Sequence, residues 1–140
     1  MSISSSEQSI YDKEYYTYHL ELLAAFCSQI QQLPPFNGEN SSEDDQEFIA
    51  AITELQQHSH ESSFLEQGQL LMCRVVGSYP HLMPLLYRDL LWFFGGDCLH
   101  FMPDEEIAVF QRLDEQREDA KQQQVAFNYK EARAKSMGMH

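Results

Sequence analysis

Residues 82–102 read LMPLLYRDLLWFFGGDCLHFM and form the most apolar stretch of this sequence. Fourteen of these 21 residues are apolar, and Trp92 among them is the only tryptophan of the chain. In an acidic chain, a segment this apolar is buried in its own core or against a partner. Internal proline, glycine and charged residues interrupt it, so it contains no apolar run long enough to span a membrane. We predict that residues 82–94 form the central helix of the fold.

Apolar side chains recur every three or four residues along the rest of the chain, which is the period of a helix with one buried face. No segment alternates apolar and polar residues over the length of a strand. Ser4 to Ser6 are expected to cap the first helix, and Ser42 with Asp45 the second. The sequence therefore predicts an all-α fold, a single-domain bundle of four or five helices with a long, polar C-terminal helix. The predicted helices run from the N-terminal serines to about Leu33, then over 42–58, 63–79 and 82–94, and onward from Pro103.

Glycines mark two features of this pattern. Gly68 and Gly77 lie inside the third predicted helix, where each costs roughly 1 kcal/mol relative to alanine. We therefore expect a neighbouring helix to approach closely there. Gly95–Gly96 is expected to end the 82–94 helix, since glycine readily adopts the left-handed conformation found at helix ends.

The charge of the chain is unevenly distributed. The formal net charge is −13, but residues 14–73 contain ten acids and no base, whereas residues 121–140 contain four bases and one acid. We expect a helical bundle domain over residues 1–120 and a basic helical extension or tail over residues 121–140. The negative field promotes solubility and repels nucleic-acid phosphates and anionic membranes, so neither is an expected partner. A basic protein is the partner that this charge favours.

The spacing of the cysteines indicates the redox state of the compartment in which the protein is found. Cys27, Cys73 and Cys98 are widely spaced and form no CxxC motif, which is typical of a reducing compartment rather than of a disulfide scaffold. The first ten residues lack the basic and apolar regions of a secretory signal. We expect a cytoplasmic protein.

One group of residues has the chemistry of metal ligands. Glu54 and His58 are four residues apart on one predicted helix, and His60 and Glu61 follow. Helical bundles that bind two metal ions use Glu-x-x-His on two helices, and this chain contains no such motif. A solvated polar turn is the favoured interpretation, so we predict no metal ligand.

Two other groups are candidates for catalysis or ligand binding. Cys98 and His100 would form a nucleophilic pair only if the thiol pKa were lowered, and a tight turn with a buried cysteine is favoured instead. A row of tyrosines with a histidine would line a cavity between helices, although such rows more often form the edge of a core. The row comprises Tyr11, Tyr15, Tyr16, Tyr18 and His19. Phosphate-binding loops, nucleophile elbows and zinc motifs are absent, so we predict no catalytic residue and no cofactor.

The sequence favours a non-enzymatic protein-interaction module, an adaptor or small chaperone, with an aromatic groove in an acidic surface. A basic protein partner would bind there. A homodimer is also expected, because a chain of 140 residues offers little material to cover every face of the apolar 82–94 helix. The predicted partner-binding residues are Trp92, Phe93, Phe94, Phe101, Phe127 and Tyr129.

Two alternatives belong to other functional classes. The first is a helical enzyme or sensor that binds a small molecule or a metal ion in a cavity between helices. The second is an inhibitor that mimics the phosphates of DNA, which requires the acids around the start of the second helix to form one exposed ridge. These acids are Glu39, Glu43, Asp44, Asp45 and Glu47.

Overall fold

The computed structural model describes residues 9–137, in which all regular secondary structure is helical, so the predicted all-α class is confirmed. Within this range no helix is both long and apolar enough to cross a membrane. The α-helices are α1 (Ile10–Ile30), α2 (Glu43–Leu55), α3 (Phe64–Ser78), α4 (Arg88–Phe94), α5 (Asp104–Gln123) and α6 (Tyr129–Ser136). The 3₁₀-helices cover Gln56–His58, Pro80–Leu85 and Gly96–Phe101. The helices therefore outnumber the predicted four or five.

Helix α1 begins after Ser9. The Ser9 hydroxyl accepts a hydrogen bond from the amide of Asp12 at 3.2 Å, and the Ser9 carbonyl accepts one from the amide of Lys13 at 2.9 Å. These are the bonds of an N-cap residue. The predicted caps, Ser4 to Ser6, lie outside the described residues.

The described residues divide into two compact units, which we call the core unit, residues 19–102, and the terminal unit, residues 9–18 with 103–137. Helix α1 contributes residues to both. In the core unit, α3 packs against α2, α4 and the 3₁₀-helices that precede and follow α4. The sequence pattern assigns this central position to residues 82–94, whereas the structure gives it to α3. The division of the chain after residue 120 stays a prediction.

Helix α2 forms as its sequence predicts. The Ser42 hydroxyl accepts a hydrogen bond from the Asp45 amide at 3.0 Å, and the Asp45 carboxylate accepts one from the Ser42 amide at 3.1 Å. This reciprocal pair is a capping box, which satisfies two amides at the start of the helix. The predicted inner face, Phe48, Ile52 and Leu55, is buried.

Residues 82–94 do not form the single helix that their apolar pattern predicts. The chain forms a 3₁₀-helix over Pro80–Leu85, is extended at Leu86 and Tyr87, and enters α4 at Arg88. Pro84 disfavours an α-helix in the residues that precede it, because proline has no amide hydrogen and its ring clashes with the preceding turn. Six of the apolar side chains are nevertheless interior. The buried ones are Leu82, Leu86, Leu90, Leu91, Phe93 and Phe94.

Helix α4 packs on α3 at Gly68. A Cβ atom at Gly68 would overlap the ring of Phe94, which is only 2% exposed. The Gln69 side-chain amide donates a hydrogen bond to the Phe94 carbonyl oxygen at 2.8 Å, which satisfies an acceptor that the helix end leaves open. The expected close approach is thus confirmed at Gly68, whereas a Cβ at Gly77 would meet nothing within 4 Å.

An ion-pair group joins the start of α1 to α5 in the terminal unit. Asp12 accepts hydrogen bonds from Arg117 at 2.5 Å and from Lys121 at 2.9 Å. Burial acts to raise the pKa of Asp12, but hydrogen bonds from Lys121 and Ser9 and the charge of Arg117 lower it overall. The Arg117 guanidinium also lies 4.1 Å from the centre of the Tyr15 ring, a cation–π distance.

The C-terminal region contains two helices instead of one long polar helix. Helix α5 ends at Gln123, and Gln124 adopts the left-handed conformation with φ of 58°, which commonly ends helices. The Asn128 side chain then accepts a hydrogen bond from the Glu131 amide at 3.0 Å and caps α6. The first residue of α6, Tyr129, is 4% exposed. Its ring packs within 5.4 Å of the ring centre of Tyr18.

We predict that Gly68→Ala destabilises the protein by about 1–3 kcal/mol, because the added methyl group displaces Phe94 from a filled interior. Gly77→Ala in the same helix is the matched control. It should stabilise by up to about 1 kcal/mol, since it adds helix propensity and meets no neighbour. Urea unfolding followed by circular dichroism measures both changes. Equal effects of the two substitutions would contradict the packing of α4 on Gly68.

Candidate functional site

An open groove of about 710 Å³ lies between two helix ends of the core unit. One is the turn that follows α1 at Pro34, and the other is the turn that follows α3 at Pro80. We call this feature the Tyr79 groove. It is lined by Leu33, Pro34, Pro35, Asp45, Ser78, Tyr79 and His81.

Tyr79 forms the base of the groove. It is 5% exposed, and its ring centre lies 5.0 Å from that of Phe36 and 4.8 Å from that of Phe48. Its hydroxyl donates a hydrogen bond to a carboxylate oxygen of Asp45 at 2.7 Å. The tyrosine therefore ties the end of α3 to the start of α2, with its ring in the interior and its polar atom paired.

His81 connects the two helix ends. Its Nε2 lies 3.0 Å from the carbonyl oxygen of Pro34. Because that oxygen only accepts, the bond requires the tautomer with hydrogen on Nε2. The His81 ring is otherwise exposed, so it forms one rim of the groove.

The Asp45 carboxylate gives the groove a fixed negative charge. Hydrogen bonds from Tyr79 and from the Ser42 amide lower its pKa below the ordinary value, and the charge of Arg74 adds to this effect. Burial, together with the hydrogen bond to Asp45 and its charge, raises the pKa of Tyr79 to about 12. At neutral pH the pair is therefore an ionised carboxylate and a neutral phenol.

Arg74 lies on the side of α3 that faces the start of α2. Its guanidinium donates a hydrogen bond to the carbonyl oxygen of Asp44 at 2.9 Å and lies 5.4 Å from the centre of the Phe48 ring. The cation is thus held by the α2 backbone and an aromatic ring. It offsets one of the four carboxylates in the first five residues of α2, which leaves the negative charge in excess there.

This arrangement suits binding rather than catalysis. Apolar surface from Leu33, the two prolines and Tyr79 can accommodate an apolar side chain, and the Asp45 carboxylate can pair with a cation. The Asp45 carboxylate is a weak base, because its pKa is lowered. General-base catalysis needs a pKa near the working pH, so the groove is not arranged for proton transfer.

The predicted partner-binding residues of the core unit divide by exposure. Phe93 and Phe94 are buried at 9% and 2% exposure, and their rings pack with Phe64. Trp92 and Phe101 are partly exposed. A partner contact on this surface would therefore use Trp92 and Phe101, with Phe93 and Phe94 supporting them from the interior. None of the four lines the Tyr79 groove. Their role in binding stays a prediction.

The predicted partner-binding residues of the terminal unit differ in the same way. Tyr129 is buried between tyrosines of α1, whereas Phe127 is partly exposed. Their ring centres are 6.5 Å apart. Phe127 also lines a shallow depression of about 590 Å³ between α5 and α6, so it is the member of the pair that a partner can reach.

The candidate nucleophile Cys98 lies in the interior of the core unit. Burial raises the pKa of its thiol to about 12, and Cys73 and Asp97 act in the same direction. The Cys98 thiol donates to the carbonyl oxygen of Gln69 at 3.7 Å. His100 is exposed and lies 4.0 Å from Asp97. A protonated, buried thiol is a poor nucleophile, which supports the interpretation of a tight turn with a buried cysteine.

The polar group at the end of α2 borders a pocket of about 450 Å³. His58 pairs with Glu54 through Nε2 at 3.5 Å and with Glu61 through Nδ1. The two carboxylates therefore approach opposite ring nitrogens instead of a common cation position. Across residues 9–137 no three metal-type side chains converge on one point.

The predicted tyrosine row belongs to α1, and its side chains contact neighbouring residues of the fold. Tyr15 and Tyr18 contact Tyr129, and the Tyr11 hydroxyl donates a hydrogen bond to the carbonyl oxygen of Val125 at 2.7 Å. His19 is buried and stacks on Phe93 at 4.7 Å. These contacts are those of a core edge rather than of a cavity wall.

The acids at the start of α2 divide into two sets. Glu43, Asp44 and Glu47 are exposed and, at about 100° per residue, lie within one face of the helix. Asp45 is turned towards Tyr79 instead. One of the acids is therefore withdrawn from the ridge that a DNA mimic requires, and that alternative stays a prediction.

Sequence analysis did not identify Tyr79, His81 or Pro34 as site residues. In the sequence, Leu33 and Tyr79 mark only the predicted ends of the first and third helices. The sequence signal that could have found them is an apolar residue directly before a proline at a helix end. Leu33 precedes Pro34, and Tyr79 precedes Pro80. The contact between Pro34 and His81 joins two helix ends that are 47 residues apart in sequence. The periodicity of one helix carries no information about such a contact.

We predict that Tyr79 titrates near pH 12, whereas an exposed tyrosine titrates near pH 10. The raised pKa means that its stabilising contribution is present below pH 10 and is lost as the pH rises towards 12. Tyrosinate absorbance of the wild type minus that of Tyr79→Phe isolates this group. Asp45→Asn should shift the step to lower pH, because it removes the neighbouring charge. A Tyr79 step near pH 10 in the wild type would contradict the buried pair.

Comparison with curated proteins finds no match, and comparison with solved structures finds none either. A protein family does match: residues 11–140 fit the family described as PA2817-like. This span includes both units of the structure. The chain therefore belongs to the PA2817-like family.

Proposed function

We propose that this protein is a non-enzymatic interaction module whose Tyr79 groove binds a segment of a basic partner protein. The segment carries an apolar side chain within a few residues of a lysine or arginine. The observation that carries the proposal is an open apolar groove with the ionised Asp45 carboxylate in its wall. The apolar side chain contacts Tyr79 and the prolines, and the cation pairs with Asp45.

Charge supports a basic partner. Residues 14–73 contain ten acids and no base, and these residues include α2 and one side of the groove. Like charges at a binding surface reject acidic partners, while opposite charges raise the rate of encounter. Because the groove is open to solvent, salt should weaken the interaction.

Shape supports a short segment. A groove of about 710 Å³ is within the usual size of ligand sites, yet it is open along one side. It therefore suits two or three consecutive side chains of an extended chain. The partly exposed Trp92 and Phe101 offer a second apolar surface, which we include in the proposal as an additional partner contact.

The remaining parts of the proposal concern organisation and location. The protein is placed in the cytoplasm, with a helical bundle over residues 1–120 and a basic extension over residues 121–140. It is also proposed to form a homodimer. The uneven distribution of charge and the absence of a CxxC motif support these parts.

The test uses a fluorescein-labelled peptide with two leucines followed by lysine and arginine, and a matched peptide with glutamates in place of the two bases. We expect the basic peptide to bind and the acidic peptide not to bind. Ser78→Trp should weaken binding by about tenfold or more, because the indole fills the groove from an exposed position. Fluorescence anisotropy at two salt concentrations measures the affinities.

Ser28→Trp is the matched control, because Ser28 is an exposed helical residue of the core unit that does not line the groove. It should leave peptide binding unchanged. Equal binding of the two peptides, or equal effects of the two tryptophan substitutions, would overturn the proposed function.

A further inference from the structure

The structure points to the occupant of the Tyr79 groove: we infer that it is the connection between α5 and α6, together with the first residues of α6, of a second copy of this chain. This inference rests on the proposed function and names its partner. We call residues 124–130 the Val125 segment. Two copies exchange these segments, so each groove is filled by the segment of the other copy.

The Val125 segment has the chemistry that the groove requires. Val125 is 48% exposed, so its apolar side chain is accessible to a partner. Phe127 is partly exposed, and Lys130 is exposed. Apolar side chains thus precede a cation by a few residues, as expected for a segment that contacts both Tyr79 and Asp45.

The segment is held in place before it binds. The Val125 amide donates a hydrogen bond to the Ala120 carbonyl at 3.1 Å, and the Val125 carbonyl accepts one from the Tyr11 hydroxyl at 2.7 Å. The Asn128 side chain fixes the start of α6. Because the backbone is ordered on both sides of Val125, docking costs little additional conformational entropy.

Charge assigns Lys130 as the cation that meets Asp45. Residues 121–140 contain four bases and one acid, against ten acids and no base in residues 14–73. Lys130 is the only one of these four bases that lies within the Val125 segment. Lys121 is paired with Asp12, and Lys135 is paired with Glu131 at 3.1 Å. The Lys130 ammonium lies 6.0 Å from the Tyr18 ring centre, a loose contact that leaves it accessible to a carboxylate.

Exchange of the segments has a regulatory consequence. Two equivalent contacts related by a two-fold axis close a dimer. Each groove is then occupied, so self-association and binding of a basic partner exclude each other. A rise in the concentration of this protein would therefore reduce the fraction of open grooves.

The experiment measures the mass of the full chain by sedimentation equilibrium at concentrations up to about 0.5 mM, in low and high salt. We expect a dimer that dissociates as salt is raised. Val125→Asp and Lys130→Glu in the segment, and Ser78→Trp in the groove, should each weaken the dimer by about tenfold or more. Lys13→Glu is the control for Lys130→Glu, because it makes the same charge change at an exposed residue of α1.

A mixture of Val125→Asp and Ser78→Trp provides the decisive measurement. Each variant alone loses both contacts of its homodimer. In the mixture, the intact groove of the first variant can receive the intact segment of the second, so one contact is restored. We expect a heterodimer in the mixture and weaker self-association of either variant alone. Circular dichroism of each variant confirms that it is folded.

The basic peptide separates this inference from the proposed function. If the wild type stays monomeric while the peptide still binds, the inference and the proposed homodimer are overturned, whereas the proposed binding of a basic partner in the groove stands. If a dimer forms but neither the groove nor the segment variants weaken it, the inference is also overturned. If the wild type does not bind the basic peptide, both the proposed function and the inference are overturned.

Discussion

The ring of Phe94 occupies the space that a side chain at residue 68 would fill, and the packing of the core unit depends on this contact. It sets the distance between α3 and α4. Gln69, the next residue of α3, bonds the Phe94 carbonyl, and the Cys98 thiol bonds the Gln69 carbonyl. One turn of α3 therefore holds the end of α4 and the 3₁₀-helix that follows it. Because α3 is positioned in this way, its last turn brings Tyr79 against α2.

One carboxylate of the candidate site has several roles in the structure. The four carboxylates at the start of α2 stabilise the helix through its dipole. One of them, Asp45, also belongs to the capping box and accepts the hydroxyl of Tyr79. The same carboxylate thus caps the start of α2, anchors the end of α3 and provides the negative charge of the groove. A single side chain connects local helix formation, tertiary packing and the proposed recognition of a cation.

The chemistry of the other candidate groups supports binding over catalysis. Burial raises the pKa of the Cys27 and Cys98 thiols to about 12, so both are protonated at neutral pH. His58 is placed between two carboxylates on opposite ring nitrogens. The Tyr79 groove joins apolar surface to one ionised carboxylate, and this combination is the basis of the proposed binding of a cationic, partly apolar chain.

The sequence by itself determined the helical class, the capping box at Ser42, the buried face of α2 and the stop at Gly95–Gly96. These features depend on residues within one turn or one helix, where periodicity and capping chemistry act directly. Pro84 is a local signal against a continuous α-helix, but the apolar pattern around it led to the prediction of one helix over residues 82–94. The site lay beyond sequence analysis, because Pro34 and His81 meet across 47 residues. Only the tertiary structure decided that Phe93 and Phe94 are interior while Tyr79 lines a groove, since burial depends on which helices pack together and not on the apolar character of one segment.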